Sequence, residues 1–359
     1  MNKERMGRVL QEMKNAGVPQ MIVSDPVNIF YLTGKWIFPG ERMLVLLLKT
    51  DGSAKLFVNE LFPIHEDLGT ENITLNDNQD AVGVLAPYID KNDVIGIDKN
   101  WPARFLIRLM DLTGATKFVD ISNITDKVRQ RKDKTEIDLM RESSRVNDIA
   151  VDKMIELVPK KYTEKKMGEI LLETYRSMGA EEFSFDPIVA YGANGADPHH
   201  TTDATSQLKE GDSVVIDIGC KKDSYCSDLT RTVFYKRASE EQKKVYNIVR
   251  DANLKGIDKV KPGVRFCDID AAARDYIESK GYGKYFTHRL GHSIGLEDHE
   301  VGDVSSVNKN KVDEGMIFSI EPGVYLPGNF GVRVEDLVVV TKDGCEVLNK
   351  YSKDLCIVE

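Results

Sequence analysis

Residues 213–235 read SVVIDIGCKKDSYCSDLTRTVFY, two β-branched apolar runs joined by a short polar stretch. Runs of this kind predict two antiparallel strands closed by a tight turn, here placed at Lys222-Asp223. That turn sets Asp217 opposite Asp228 on one face of the hairpin, with Cβ atoms about 5 Å apart. Ile216 and Ile218 then point to the other face and supply core. Like charges held so closely are destabilising unless a cation lies between them.

The pattern recurs downstream. In SIEPGVY (319–325) and GVRVED (331–336), Glu321 and Glu335 are equidistant from Gly328 of the turn-forming Pro327-Gly328-Asn329, so a second pair of carboxylates faces across adjacent strands. A lone acid at a strand end is ordinarily solvated or paired with Lys or Arg. Two mirrored pairs in strands rich in Val and Ile are a different matter, because buried unpaired charge is too costly to leave alone.

Imidazoles cluster beside these acids. Of six histidines, His288, His292 and His299 fall within twelve residues in HRLGHSIGLEDHE, where Gly291 and Gly295 predict an extended or looped backbone rather than a helix. Another pair, His199-His200, follows the loop YGANGADP, suited to exposing side chains at a pocket rim. An oxygen-rich site with a single imidazole suits Mn²⁺, Co²⁺, Fe²⁺ or Zn²⁺, and not a sulfur-bound structural zinc. Two such ions make a shared hydroxide nucleophile and polarise a carbonyl. Cys226, two residues before Asp228, is read as a buried thiol and not a ligand, since hard cations prefer oxygen.

At 359 residues the chain exceeds what one core usually serves, which predicts two domains. Residues 1–127 alternate strand-like and helix-like pieces, with a hairpin signal at Asp51-Gly52, and form an α/β domain. A capping pair, Asp133/Glu136, opens a long amphipathic helix, and residues 128–359 read as α+β with further helices over 164–178, 239–260 and 266–280. Helices followed by an acidic hairpin occur twice, a weak internal echo. The net charge of −9 and pI near 5.4 argue against nucleic acid or an anionic membrane as partner. The longest apolar run, Met43 to Leu48, is too short to span a bilayer, and the charged, helix-periodic N-terminus lacks a secretory signal; the expectation is a cytoplasmic protein. Five cysteines without a CxxC pair fit neither a disulfide framework nor a zinc knuckle.

The ordered segments SVVIDIG, YCSDLTRT, HRLGHSIG, SIEPGVY and GVRVED resemble the ligand motifs of the pita-bread metallopeptidases, which include prolidase, aminopeptidase P and methionine aminopeptidase. The resemblance covers residues 128–359, and residues 1–127 resemble the creatinase/prolidase N-terminal domain. It implies an α+β pita-bread catalytic domain with two divalent metal ions, Mn²⁺ or Co²⁺ first and Zn²⁺ or Fe²⁺ as alternatives. Asp217 would chelate one ion, Asp228 and Glu335 would bridge, and His292 and Glu321 would hold the second. It further implies that Glu321 takes a proton from the bridging water, that His199 and His299 contact substrate and stabilise the tetrahedral intermediate, and that His288 lines the pocket. A shift of one place gives His200 the role of His199. The implied activity is cleavage of the Xaa-Pro bond at the N-terminus of dipeptides or short peptides, by a homodimer. Alternatives are an aminopeptidase P acting on longer peptides, a hydrolase of a non-peptide amide, and a non-catalytic peptide-binding module. The chain departs from prolidases in two places. Ser293 follows His292 where GHG is common, and Asp303 stands where many carry an arginine for the substrate's free carboxylate.

Overall fold

The computed structural model describes every residue from Met1 to Glu359, and the chain divides into two compact units, Met1–Arg129 and Gln130–Glu359. The first unit runs α1 (Lys3–Asn15), β1 (Gln20–Val23), α2 (Pro26–Thr33), β2 (Val45–Lys49), β3 (Ala54–Asn59), β4 (Glu71–Leu75), α3 (Ala81–Leu85), β5 (Ile95–Ile97), α4 (Ala103–Thr113), β6 (Phe118–Asp120) and α5 (Ser122–Gln130). Its mixed sheet has the order β4-β3-β2-β1-β5-β6. The β2/β3 turn falls at Asp51-Gly52, where the Asp51 carboxylate accepts from the Ser53 amide at 2.8 Å and Gly52 takes a φ of 93°.

The second unit opens with α6 (Lys134–Leu157), whose start is set by a reciprocal capping box: Asp133 accepts from the Glu136 amide and Glu136 accepts from the Asp133 amide, each at 2.9 Å. There follow α7 (Glu164–Ser177), β7 (Glu182–Phe183), β8 (Ile188–Tyr191), β9 (Ser213–Ile218), β10 (Cys220–Lys222), β11 (Tyr225–Cys226) and β12 (Leu229–Tyr235). After these come α8 (Glu240–Lys259), α9 (Phe266–Ser279), β13 (Gly291–Ser293), β14 (Glu300–Val304), β15 (Ile317–Ile320), β16 (Gly323–Leu326), β17 (Phe330–Arg333), β18 (Asp336–Val340), β19 (Cys345–Val347) and β20 (Cys356–Val358). The echo seen in the sequence has a structural counterpart. Residues of α6 and α7 share one core with the sheet β20-β12-β9-β8, and residues of α8 and α9 share another with the sheet β14-β13-β15-β18-β19. Ile216 and Ile218 lie fully buried in the first of these cores, each contributing about 1.5–3 kcal/mol by burial.

One expected register is corrected. The first hairpin turns at Asp223-Ser224, whose φ values of 49° and 71° are the left-handed pair that a two-residue turn requires, and not at Lys222-Asp223. Asp217 therefore faces Thr230, and Asp228 lies just before the start of β12. The displacement is two positions along the partner strand, an even number, so Asp228 keeps the face assigned to it. The second hairpin has the expected register: Ile320 pairs with Asp336 and Gly323 with Arg333, which leaves Glu321 level with Glu335.

Candidate metal centre

The two hairpins are stitched together at the level of these acids. Between β17 and β18 the Glu335 amide donates to the Thr230 carbonyl at 3.1 Å, and the Thr230 hydroxyl donates to Glu335 Oε2 at 2.6 Å. The segment that carries Glu335 is thereby fixed beside β12, at Thr230, the residue that pairs across the sheet with Asp217. Pro322, which has no N–H to give, follows Glu321 where that strand passes from one sheet to the next.

His292 occupies the middle of β13, an extended segment as its flanking glycine suggests. Gly291 cannot be larger, because a Cβ there would lie 1.9 Å from the Ser319 carbonyl oxygen. The imidazole Nε2 stands 3.5 Å from Asp228 Oδ2 and 3.5 Å from Glu321 Oε1. Ligand atoms of Asp228, His292 and Glu335 all fall within 4.8 Å of one another, and His292, Asp298 and His299 form an adjoining group on the same scale. Asp217, Asp228, His292, Glu321 and Glu335 all line one cavity of about 920 Å³. Asp217 lies outside the tightest group, and the guanidinium of Arg333 grips its Oδ2.

The donor set fits divalent cations on two grounds. Asp217 Oδ1, Asp228 Oδ1 and Glu335 Oε1 are buried oxygens without any hydrogen-bond partner, an arrangement that a protein rarely tolerates unless something else satisfies them. Burial first, and then mutual repulsion, pushes the Asp228 and Glu335 carboxyls well above the ordinary range. Burial likewise pushes Glu321 to about 8 and Asp298 to about 7. Burial lowers the His292 imidazole to about 3, which leaves it in the neutral form that ligates metals.

The remaining histidines are placed differently from one another. The His299 ring lies 4.0 Å from that of His292, tilted by 53°, with Nδ1 3.5 Å from Arg289. His199 is exposed at the cavity rim, near enough to His288 and His299 for its charge to lower both. His200, its neighbour, also lines the cavity but pairs through Nε2 with Glu164 at 2.7 Å. His288 lines it too, yet both of its nitrogens are taken. Nδ1 meets the Arg289 carbonyl at 2.7 Å, so it carries the proton, and Nε2 accepts from the Tyr325 hydroxyl at 2.9 Å. Burial and the charge of Arg333 hold this imidazole neutral, lowered to about 3. Arg333 donates to the Tyr325 oxygen at 2.8 Å as well as to Asp217.

Asp303 lies outside the cavity lining and is ion-paired with Arg289, which does line it. Cys226 points elsewhere: its thiol contacts the Leu296 carbonyl at 3.7 Å and burial pushes it upward. Three residues in or behind the cavity wall were not singled out by the sequence: Asp298 and Arg289 line the cavity, and Tyr325 stands behind it against His288. Asp298 had a signal, being next to His299 in LEDHE, whereas Tyr325 and Arg289 are common residue types in unremarkable places.

This geometry coincides with a family match. Residues 138–342 match the model of metallopeptidase family M24, and residues 5–131 match the creatinase/prolidase N-terminal domain. The chain belongs to metallopeptidase family M24. An uncharacterized peptidase of Staphylococcus aureus is 34% identical over 97% of this chain and 99% of its own. The solved prolidase of Thermococcus sibiricus superposes with a TM-score of 0.93 at 32% identity, covering 99% of each chain. The Xaa-Pro dipeptidase of Bacillus anthracis gives 0.91 at 30% identity, again over 99% of both. This M24 chain is thus a metallopeptidase of the α+β pita-bread fold, dependent on divalent metal. No helix in it is long and apolar enough to cross a membrane.

Proposed function

We propose that this M24 metallopeptidase hydrolyses the bond between an N-terminal residue and proline in short peptides, with two divalent cations held by Asp217, Asp228, His292, Glu321 and Glu335. The observation that carries it is the set of buried, partnerless carboxylate oxygens at one end of a peptide-sized cavity. Charge balance supports two ions rather than one. Four ligand carboxylates against the guanidinium of Arg333, which is bonded to one of them, leave three negative charges; two divalent ions exceed that by one, the charge of a hydroxide. Manganese or cobalt suits the oxygen-rich set best, with zinc or iron as alternatives. When bound, the ions supply Lewis acidity, a water that ionises near neutral pH and a polarised carbonyl.

The chain's own groups do the rest. Glu321, beside the imidazole of His292, accepts the proton of the attacking water. His199 and His299, both exposed residues of the cavity lining, contact the substrate and steady the oxygen on which charge develops. His288, with both nitrogens committed, acts by holding Tyr325 and through it Arg333. Hydrolysis of Xaa-Pro bonds is supported by the solved relatives, which include prolidases, an Xaa-Pro dipeptidase and an X-Pro aminopeptidase.

A second reading, cleavage of longer peptides, is favoured by one observation: Arg289, a cation at the cavity wall, is already neutralised by Asp303. Metal analysis with a peptide-length panel tests both. Xaa-Pro should be turned over, with activity lost on chelation and restored by Mn²⁺ or Co²⁺. A preference for Xaa-Pro-Xaa over Xaa-Pro selects the second reading, and hydrolysis that survives chelation refutes both.

A further inference from the structure

Glu164, the first residue of α7, is fully buried, yet it belongs to neither the ligand set nor the cavity lining. Its carboxylate is saturated by one segment of chain. Oε1 accepts from the Tyr191 amide and from Asn194 Nδ2, both at 2.9 Å. Oε2 accepts from the Asp203 amide at 3.3 Å and meets His200 Nε2 at 2.7 Å. Although Glu164, His200 and Asp203 lie close enough to hold an ion, both Glu164 oxygens are occupied, and Asp203 spends its carboxylate on Thr205 and Ser206. The group is a hydrogen-bonded clamp and not a second metal site.

A carboxylate only accepts, so the contact with Glu164 requires the His200 proton to be on Nε2. Nδ1 is then the one nitrogen left for anything in the cavity that His200 lines. We propose that Glu164 is a positioning residue for the peptidase reaction, fixing the orientation and tautomer of His200 so that Nδ1 hydrogen-bonds the bound peptide. The inference rests on the peptidase reading above. Its logic is that of any buried acid that orients an imidazole: the acid does not touch substrate, but it decides which nitrogen does. The position of Glu164 in the first turn of α7 favours a negative charge there.

Glu164→Gln tests it, because the amide keeps an acceptor for Tyr191 and Asn194 and presents an N–H to His200, forcing the other tautomer. In the metal-loaded enzyme this variant should keep its metal content and lose about 10–100-fold in kcat, with KM changed less than kcat. The same substitution in a His200→Ala background should add almost nothing, since the group it acts through is gone. A kcat within about twofold of the parent, or an equal loss in both backgrounds, overturns the proposal. Nitrogen-15 NMR of the parent reads the tautomer directly, whether or not the variant folds: Nε2–H supports the proposal, and Nδ1–H overturns it. A parent that cleaves no peptide in the panel removes the peptidase reading alone, and the tautomer measurement still stands.

Discussion

Stripping the cations from the centre should make folding stability fall as pH rises above neutrality. Without them, burial raises Glu321 to about 8 and Asp298 to about 7, and holds Asp228 and Glu335 higher than an ordinary carboxyl. In the unfolded chain these groups titrate near 4. The folded state therefore binds more protons than the unfolded one over the interval between, and stability declines with pH across it. Three histidines act in the opposite sense, His288 and His292 lowered to about 3 and His299 lowered by burial and Arg289. Their contribution grows with pH only up to the unfolded imidazole value of about 6.5 and is constant beyond it. The window from about pH 6.5 to 8 is left to the carboxyls. Each extra proton held by the folded state costs about 1.4 kcal/mol per pH unit, so one to two protons over this window remove about 2–4 kcal/mol. That is a large share of the roughly 5–15 kcal/mol that holds a domain together. Urea unfolding at several pH values, with and without Mn²⁺, measures it. The chelated protein should lose stability steadily through the window, and the loaded protein should not, since cations replace the protons. A chelated protein whose stability is flat or rising from pH 6.5 to 8 would refute this account of the buried acids.

Two further outcomes follow from particular residues. Asp228→Asn withdraws a charge from the group it forms with His292 and Glu335, and should lower bound metal, measured by atomic emission, together with peptidase activity by about 100-fold or more. Ser224→Gly relieves a non-glycine residue at a φ of 71° in the hairpin turn and should raise stability by about 0.5–1 kcal/mol in urea unfolding, with activity unchanged.

Much of the fold is legible because its signals are local. The Asp133/Glu136 box, the Asp51-Gly52 turn and the apolar periods of α6 to α9 each depend on residues a few positions apart. The convergence of the candidate ligands on one cavity is legible for a related reason: strand parity alone puts alternate residues on one face, and parity survives an error in locating a turn. That is why Asp217 and Asp228 share a face although the turn lies one residue later than Lys222-Asp223 suggests. What parity cannot supply is contact between distant segments. Nothing near residue 217 announces that Arg333 will grip Asp217, nor does the helix cap at Thr163-Glu164 disclose a partner at His200.

The polar wall formed by these long-range contacts has a definite sense of donation. Arg333 can only donate, so Asp217 and the Tyr325 oxygen both accept from it. The Tyr325 proton must then go to His288 Nε2, and the His288 proton to the Arg289 carbonyl, which can only accept. No member can reverse its bond without leaving another unsatisfied, and a buried unmade bond costs about 1–3 kcal/mol. A neutral His288 is what such a chain demands, and its lowering to about 3 agrees. The wall thus holds Asp217 in place beside the cavity that Glu321, His199 and His299 also line.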